Sequence, residues 1–99
     1  MKTGKVVIVT GAGKGIGRCI ALTYAANDFN VVLAEIDPES GSKTEELIVS
    51  AGQKAVFIKT DVSNPDEISK MINTTSELFG RIDILINNAG LSKWKSPFE

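Results

Sequence analysis

Four short apolar runs, each followed by a glycine- or proline-marked segment long enough for a helix, set the strongest limit on what this chain can become. "KVVIVT" (Lys5–Thr10), "NVVLAEI" (Asn30–Ile36), "KAVFIKT" (Lys54–Thr60) and "RIDILINN" (Arg81–Asn88) are rich in β-branched residues. All four read as strands, and the continuous apolar runs of the first two read as strands buried on both faces. Between them the apolar residues recur at helical spacing. Ile16, Cys19, Ile20 and Tyr24 form a stripe over residues 15–28, and Cys19 is expected to be a small core residue. Leu47, Ile48 and Ala51 supply the inner face of a second helix, and Ile68, Met71, Ile72, Thr75 and Phe79 that of a third. Asp37-Pro38 and Asn64-Pro65-Asp66-Glu67 are start signals, an N-cap followed by proline. Gly52 and Gly80 are stop signals. Strands alternating with helices imply a parallel sheet with right-handed crossovers. The expected fold class is therefore α/β: a Rossmann-type open sheet, βαβαβαβ, with strand order 3-2-1-4, incomplete relative to the full fold. Residues 1–99 are expected to be a single domain.

Composition narrows the function. The chain has 99 residues, a net charge of −1 and scattered lysines, so it carries no electrostatic footprint for nucleic acid or an anionic membrane. It has no histidine, which removes the Ser-His-Asp arrangement and nearly all zinc sites. No metal site is expected. One cysteine permits no intrachain disulfide. The N-terminus lacks a signal-peptide pattern, and a cytoplasmic location follows as the default.

The densest feature is "TGAGKGIG", Thr10 to Gly17, with four glycines in eight positions between the first strand and the first helix. In an open parallel sheet this turn brings a nucleotide's phosphates to a helix N-terminus. The spacing G-x-G-x-x-G fails, because position 16 is Ile16, and the P-loop pattern fails as well. T-G-x-x-x-G-x-G fits, using Thr10, Gly11, Gly15 and Gly17. Three further features fall at carboxyl ends of strands, where open α/β sheets bind ligands. Glu35 closes the second strand, at the distance where an acid hydrogen-bonds a ribose. Asp61-Val62 closes the third. Asn87-Asn88-Ala89-Gly90 closes the fourth, with two adjacent amides offering donors and acceptors.

These motifs, in this order and spacing, resemble the cofactor motifs of the short-chain dehydrogenase/reductase family. The extended branch would need glycine where Lys14 stands, so the ordinary branch is indicated. The resemblance implies that Gly11, Gly15, Ile16 and Gly17 hold the pyrophosphate and nearby ribose. It implies that Asp61 hydrogen-bonds the adenine amino group, with Val62 beside the ring. Asn88, Ala89 and Gly90 would approach the ribose on the nicotinamide side, and Asn87 would brace the sheet. Glu35 falls at the cofactor-selecting position, where a carboxylate favours NAD. Lys14 pulls toward NADP, Asp37 is a second acid nearby, and the balance favours NAD.

The family interconverts alcohols and carbonyls by hydride transfer with a Ser and a Tyr-x-x-x-Lys pair. Here the one tyrosine, Tyr24, is followed four residues on by Asp28, and no Tyr-x-x-x-Lys exists. No catalytic residue is therefore assigned. Three readings stay open: the NAD-binding front half of a short-chain oxidoreductase, inactive alone; a non-catalytic nucleotide-binding module; and an interaction protein with a vestigial site. In all three the fourth strand becomes an apolar edge, so self-association through Ile82–Asn87, or partial disorder of that segment, is expected.

Overall fold

Val6–Thr10 form a strand, β1, in which all five residues are buried. A computed structural model describes residues 4–89 of the chain, and in it β1 lies inside a four-stranded parallel sheet. The elements follow as α1 (Gly15–Ala26), β2 (Asn30–Glu35), α2 (Pro38–Ser50), β3 (Lys54–Lys59), α3 (Pro65–Phe79) and β4 (Ile84–Ile86). The strand order is β3-β2-β1-β4, as the spacing predicts. Val6 to Thr10 pair in register with Asn30 to Ala34 on one side, and Val7 to Val9 with Ile84 to Ile86 on the other.

Alternation along the strands divides the core into two layers. Val7, Val9, Val31 and Leu33 face one way and pack with Ala21 and Ala25 of α1 and Ile48 of α2. Val6, Ile8, Val32 and Ala34 face the other way and pack with Met71 of α3. The crossover from β3 back past β1 to β4 is what sends α3 to the opposite face.

Both proline-marked helix starts are as expected. Asp37 caps α2 by accepting the Glu39 N–H at 3.1 Å, and Asn64 caps α3 by accepting the Asp66 N–H at 3.0 Å. α3 ends at Gly80, whose N–H reaches Ser76 O at 2.7 Å. The α3 stripe is also as read: Met71 and Thr75 are buried, with Ile72 and Phe79 packed beside them.

Three expectations need correction. Cys19 is exposed, and so is Ile16, at 73%. The buried face of α1 is Gly17, Ala21 and Ala25 instead, because small side chains let the helix lie close to β1 and β2. Leu47 and Ala51 are exposed as well, and α2 buries Ser40, Gly41, Thr44 and Ile48. A side chain at Gly41 would run into the Phe57 ring of β3, which accounts for the small residue there. Finally, β4 is only three residues long, shorter than the run Arg81–Asn88; before it Asp83 meets Val6 through both its N–H and its carboxylate, and past its end Asn88 reaches Gly11 O through its side chain.

Tyr24 packs as expected. Its ring meets Phe29 edge to face at 4.9 Å between centroids.

Candidate functional site at the carboxyl edge of the sheet

The turn from β1 into α1 is held from three sides. From β2, Ala34 O accepts the Gly11 N–H at 2.8 Å. From β4, the Asn88 Nδ2 donates to Gly11 O at 3.2 Å, and the Ala89 N–H donates to Thr10 Oγ1 at 3.0 Å. The Thr10 hydroxyl lies in turn within reach of Ile86 O, at 3.3 Å, and of Asn87 Oδ1, at 3.2 Å. Thr10 is therefore the joint between the ends of β1 and β4, and Asn87 braces the sheet there.

The third side is α2. Thr44 is fully buried, and its hydroxyl sits 3.0 Å from Ala12 O, 3.3 Å from Gly13 O and 3.2 Å from Ser40 O. It has one proton to donate among them, and it accepts from Arg18 Nε at 2.9 Å. This network ties α1, α2 and the glycine turn together. Its sequence signal is weak: a polar residue in the middle of the inner face of a helix, easily passed over by a reading that follows apolar residues.

Two glycines of the turn have different physical duties. A side chain at Gly17 would collide with Gly11 O and come within 2.6 Å of Asn88 Nδ2. Gly15 has φ +52°, a left-handed backbone, and open space where a side chain would be. The first glycine permits close packing; the second shapes a turn whose outer side stays uncovered.

That uncovered side opens onto a cleft of about 340 Å³. Its floor carries Gly11, Lys14, Gly15 and Ile16. Its walls are Glu35 at the end of β2, Thr60 and Val62 after β3, and Asn88 with Ala89 after β4. The cleft thus gathers eight of the eleven residues expected to contact a cofactor. Gly17 lies behind the floor, buried against Gly11. Asp61 is absent from the cleft walls, although Thr60 and Val62 on either side of it contribute. Its Oδ1 accepts both the N–H and the hydroxyl of Ser63, at 2.9 and 2.6 Å, in a local turn. Gly90 lies outside the described residues. Thr60, nearly fully buried, is a wall residue that sequence reading missed.

Lys14 is the N-cap of α1, and no side chain caps that helix end, whereas α2 and α3 are capped by Asp37 and Asn64. The first-turn N–H groups of a helix have no partner within the helix, and its dipole is positive there. An anion fits such an end, and the left-handed Gly15 leaves room for it.

Glu35 is more constrained than expected. Its Oε1 accepts the Gly13 N–H at 2.9 Å, and its Oε2 accepts the Asp37 N–H at 3.0 Å. These bonds fix the carboxylate in the cleft wall. A carboxylate offers about four acceptor positions, so each oxygen keeps capacity for a hydroxyl donor.

This geometry has close counterparts. The short chain dehydrogenase family matches the chain over residues 5–99. An uncharacterised oxidoreductase of Thermotoga maritima is 44% identical over 99 residues, covering 100% of this chain and 39% of that protein. A metagenomic short-chain oxidoreductase crystallised in complex with NADP superposes with a TM-score of 0.81 at 36% identity, over 85% of this chain and 38% of that one. A short chain dehydrogenase/reductase of Burkholderia phymatum crystallised in complex with NAD gives a TM-score of 0.81 at 34% identity, over 83% of this chain and 29% of that one. The chain therefore spans well under half the length of the relatives it matches. With the turn, the strand order and the sequence match in agreement, the chain belongs to the short-chain dehydrogenase family.

Proposed function

We propose that these residues are the dinucleotide-binding part of a short-chain oxidoreductase, and that the cofactor is NAD in preference to NADP. The observation that carries this reading is the uncapped N-terminus of α1 opening, through Gly15, into a cleft walled by Glu35, Val62, Asn88 and Ala89. The pyrophosphate would lie on the α1 N–H groups. Glu35 would accept from the ribose hydroxyls with the acceptor positions its two amide bonds leave. A 2′-phosphate would meet the Glu35 carboxylate, which supports NAD. Val62 would flank the adenine, with Asp61 at its amino group, and Asn88, Ala89 and Gly90 would approach the second ribose.

A nicotinamide dinucleotide supplies hydride transfer, and the protein supplies position. In the whole protein the substrate would be a small alcohol or carbonyl compound. The Tyr-x-x-x-Lys pair that moves the proton is not among these residues. These 99 residues alone are therefore expected to show no turnover.

Among the described residues no helix is long and apolar enough to cross a membrane. A cytoplasmic location belongs to the same reading. Self-association through the β4 edge, residues Ile82–Asn87, belongs to it too: β4 pairs on one side only among the described strands, and Leu85 is 55% exposed.

Titration of NAD⁺ and ADP-ribose into the purified protein tests the reading. Saturable binding of both, competing with each other, is the expected result. Absence of binding for either would overturn it in favour of a vestigial site.

A further inference from the structure

The backbone of a glycine turn offers an anion two dipoles of opposite effect. An N–H attracts a phosphate, and a carbonyl oxygen repels it. Here the carbonyls from Gly11 to Lys14 are each engaged by a donor. Gly11 O accepts from Asn88 Nδ2 at 3.2 Å, and Lys14 O accepts the Arg18 N–H, also at 3.2 Å. Ala12 O and Gly13 O, between them, meet one group: the Thr44 hydroxyl of α2, at 3.0 and 3.3 Å.

That hydroxyl is itself oriented. Arg18 Nε donates to it at 2.9 Å, which occupies a lone pair and turns its single proton toward the carbonyls. Ser40 O, also within reach of the hydroxyl at 3.2 Å, has Arg18 Nη2 at 3.5 Å as a second donor. Packing holds α2 at this distance. A side chain at Gly13 would collide with Ser40 Oγ and come within 2.8 Å of Glu35 Oε1, so the turn lies directly against α2. A trans peptide points its C=O and N–H in opposite directions. With Ala12 O turned to Thr44, the Gly13 N–H reaches Glu35 Oε1 at 2.9 Å. With Gly13 O turned the same way, the Lys14 N–H points away from Thr44 at the start of α1. Thr44 itself is fully buried and is not among the residues that line the cleft.

We propose that Thr44 is a positioning residue for the dinucleotide: from the buried face of α2 it draws the Ala12 and Gly13 carbonyls away from the pyrophosphate and so keeps the N–H face of the glycine turn toward it. The proposal rests on the dinucleotide reading above, and it applies equally to NAD and NADP. It makes the affinity of the cleft for an anion depend on a side chain that the anion does not touch.

The test is titration of ADP-ribose and of adenosine, followed by the amide NMR spectrum, into the unmutated protein, Thr44→Val, Thr44→Ser and Arg18→Lys. Adenosine has the base and ribose without phosphate, so the ratio of ADP-ribose to adenosine affinity isolates the pyrophosphate. Thr44→Val removes the hydroxyl and Thr44→Ser keeps it. Arg18→Lys keeps the charge and loses the Nε donor. The ratio is expected to fall about fivefold in Thr44→Val, to fall in the same direction in Arg18→Lys, and to stay within about twofold in Thr44→Ser. A purely structural role would weaken both ligands together, and an unchanged ratio in a folded Thr44→Val overturns the proposal. So does a ratio in Thr44→Ser as low as in Thr44→Val, because the hydroxyl would then not be the cause. If Thr44→Val does not fold, Arg18→Lys decides in its place, and an unchanged ratio there overturns the proposal equally. Failure of the unmutated protein to bind ADP-ribose overturns the dinucleotide reading itself, and this proposal with it.

Discussion

Gly15 and Gly17 stand two residues apart in one turn and answer to different forces. At Gly17 the constraint is space, because Gly11 O and Asn88 Nδ2 occupy the position of a side chain. At Gly15 it is the left-handed backbone alone, with nothing in the way. Gly17→Ala is therefore expected to lower the unfolding free energy by about 2 kcal/mol, since the colliding atoms belong to backbone and to a bonded amide. Gly15→Ala should cost only about 1 kcal/mol, the penalty for an alanine at positive φ. Urea denaturation of the two variants side by side checks the order. A larger loss at Gly15 would mean that the turn is packed more tightly than its geometry implies.

At the scale of elements, the helices grip the turn through polar atoms set in apolar faces. α2 does so through Thr44, whose hydroxyl is shared among Arg18 and the carbonyls of the turn. Thr44→Val keeps the volume and leaves those groups unpartnered. A loss of about 2 kcal/mol is expected, the penalty for stranding buried polar groups, read as a lower denaturation midpoint. β4 is secured similarly at its start. Asp83 Oδ2 accepts the Val6 N–H at 2.7 Å while Arg81 grips the same carboxylate with two nitrogens, at 2.9 and 2.7 Å. Hydrogen bonding from Arg81, then from the Val6 amide, holds the Asp83 carboxyl below the usual carboxylate range. A carboxylate depressed in the folded state contributes fully above its unfolded pKa, and the contribution is lost as pH falls through the folded one. Acid titration of stability should therefore fall more steeply below about pH 4 in the unmutated protein than in Asp83→Asn. Parallel curves would mean that the bond to Val6 carries no charge-dependent energy.

For the whole molecule the decisive feature is the outer edge of β4. Leu85 is 55% exposed and Ile82 38%. Beside them, on the α3 face, lies a groove of about 170 Å³ lined in part by Ile68, Met71, Ile72 and Leu85. An apolar strand edge with unpaired backbone groups is a template for another chain. Prepared as these 99 residues, the polypeptide is expected to elute from gel filtration as a species larger than a monomer. Leu85→Lys, which puts a charge on that edge, should shift it toward the monomer. A clean monomer at high concentration without the substitution would count against edge pairing.

The order of the elements and the direction of the sheet were determined by the chain itself. Continuous β-branched runs such as Val6–Thr10 favour a strand covered on both faces, and Asp-Pro and Asn-Pro mark where helices begin, so βαβαβαβ could be read directly. The position of the site was legible for the same reason: the turn Thr10–Gly17, Glu35, Val62 and Asn88-Ala89 each sit at the end of a strand run, and parallel strands bring those ends together. What stayed hidden was which atom each polar group meets. Apolar periodicity placed Cys19 and Leu47 inside, yet α1 and α2 approach the sheet so closely that Ala21, Ala25, Gly41 and Thr44 take the buried positions. Glu35 could be read as an acid near a ribose. That both its oxygens bond backbone amides, and that Asp37 is left to hold Lys14, was decided only when α2 packed against the glycine turn. Spacing along a chain fixes which residues can share a face or a strand end. Hydrogen-bond partners far apart in sequence are chosen by distances of a few tenths of an ångström, and only the packed structure sets those.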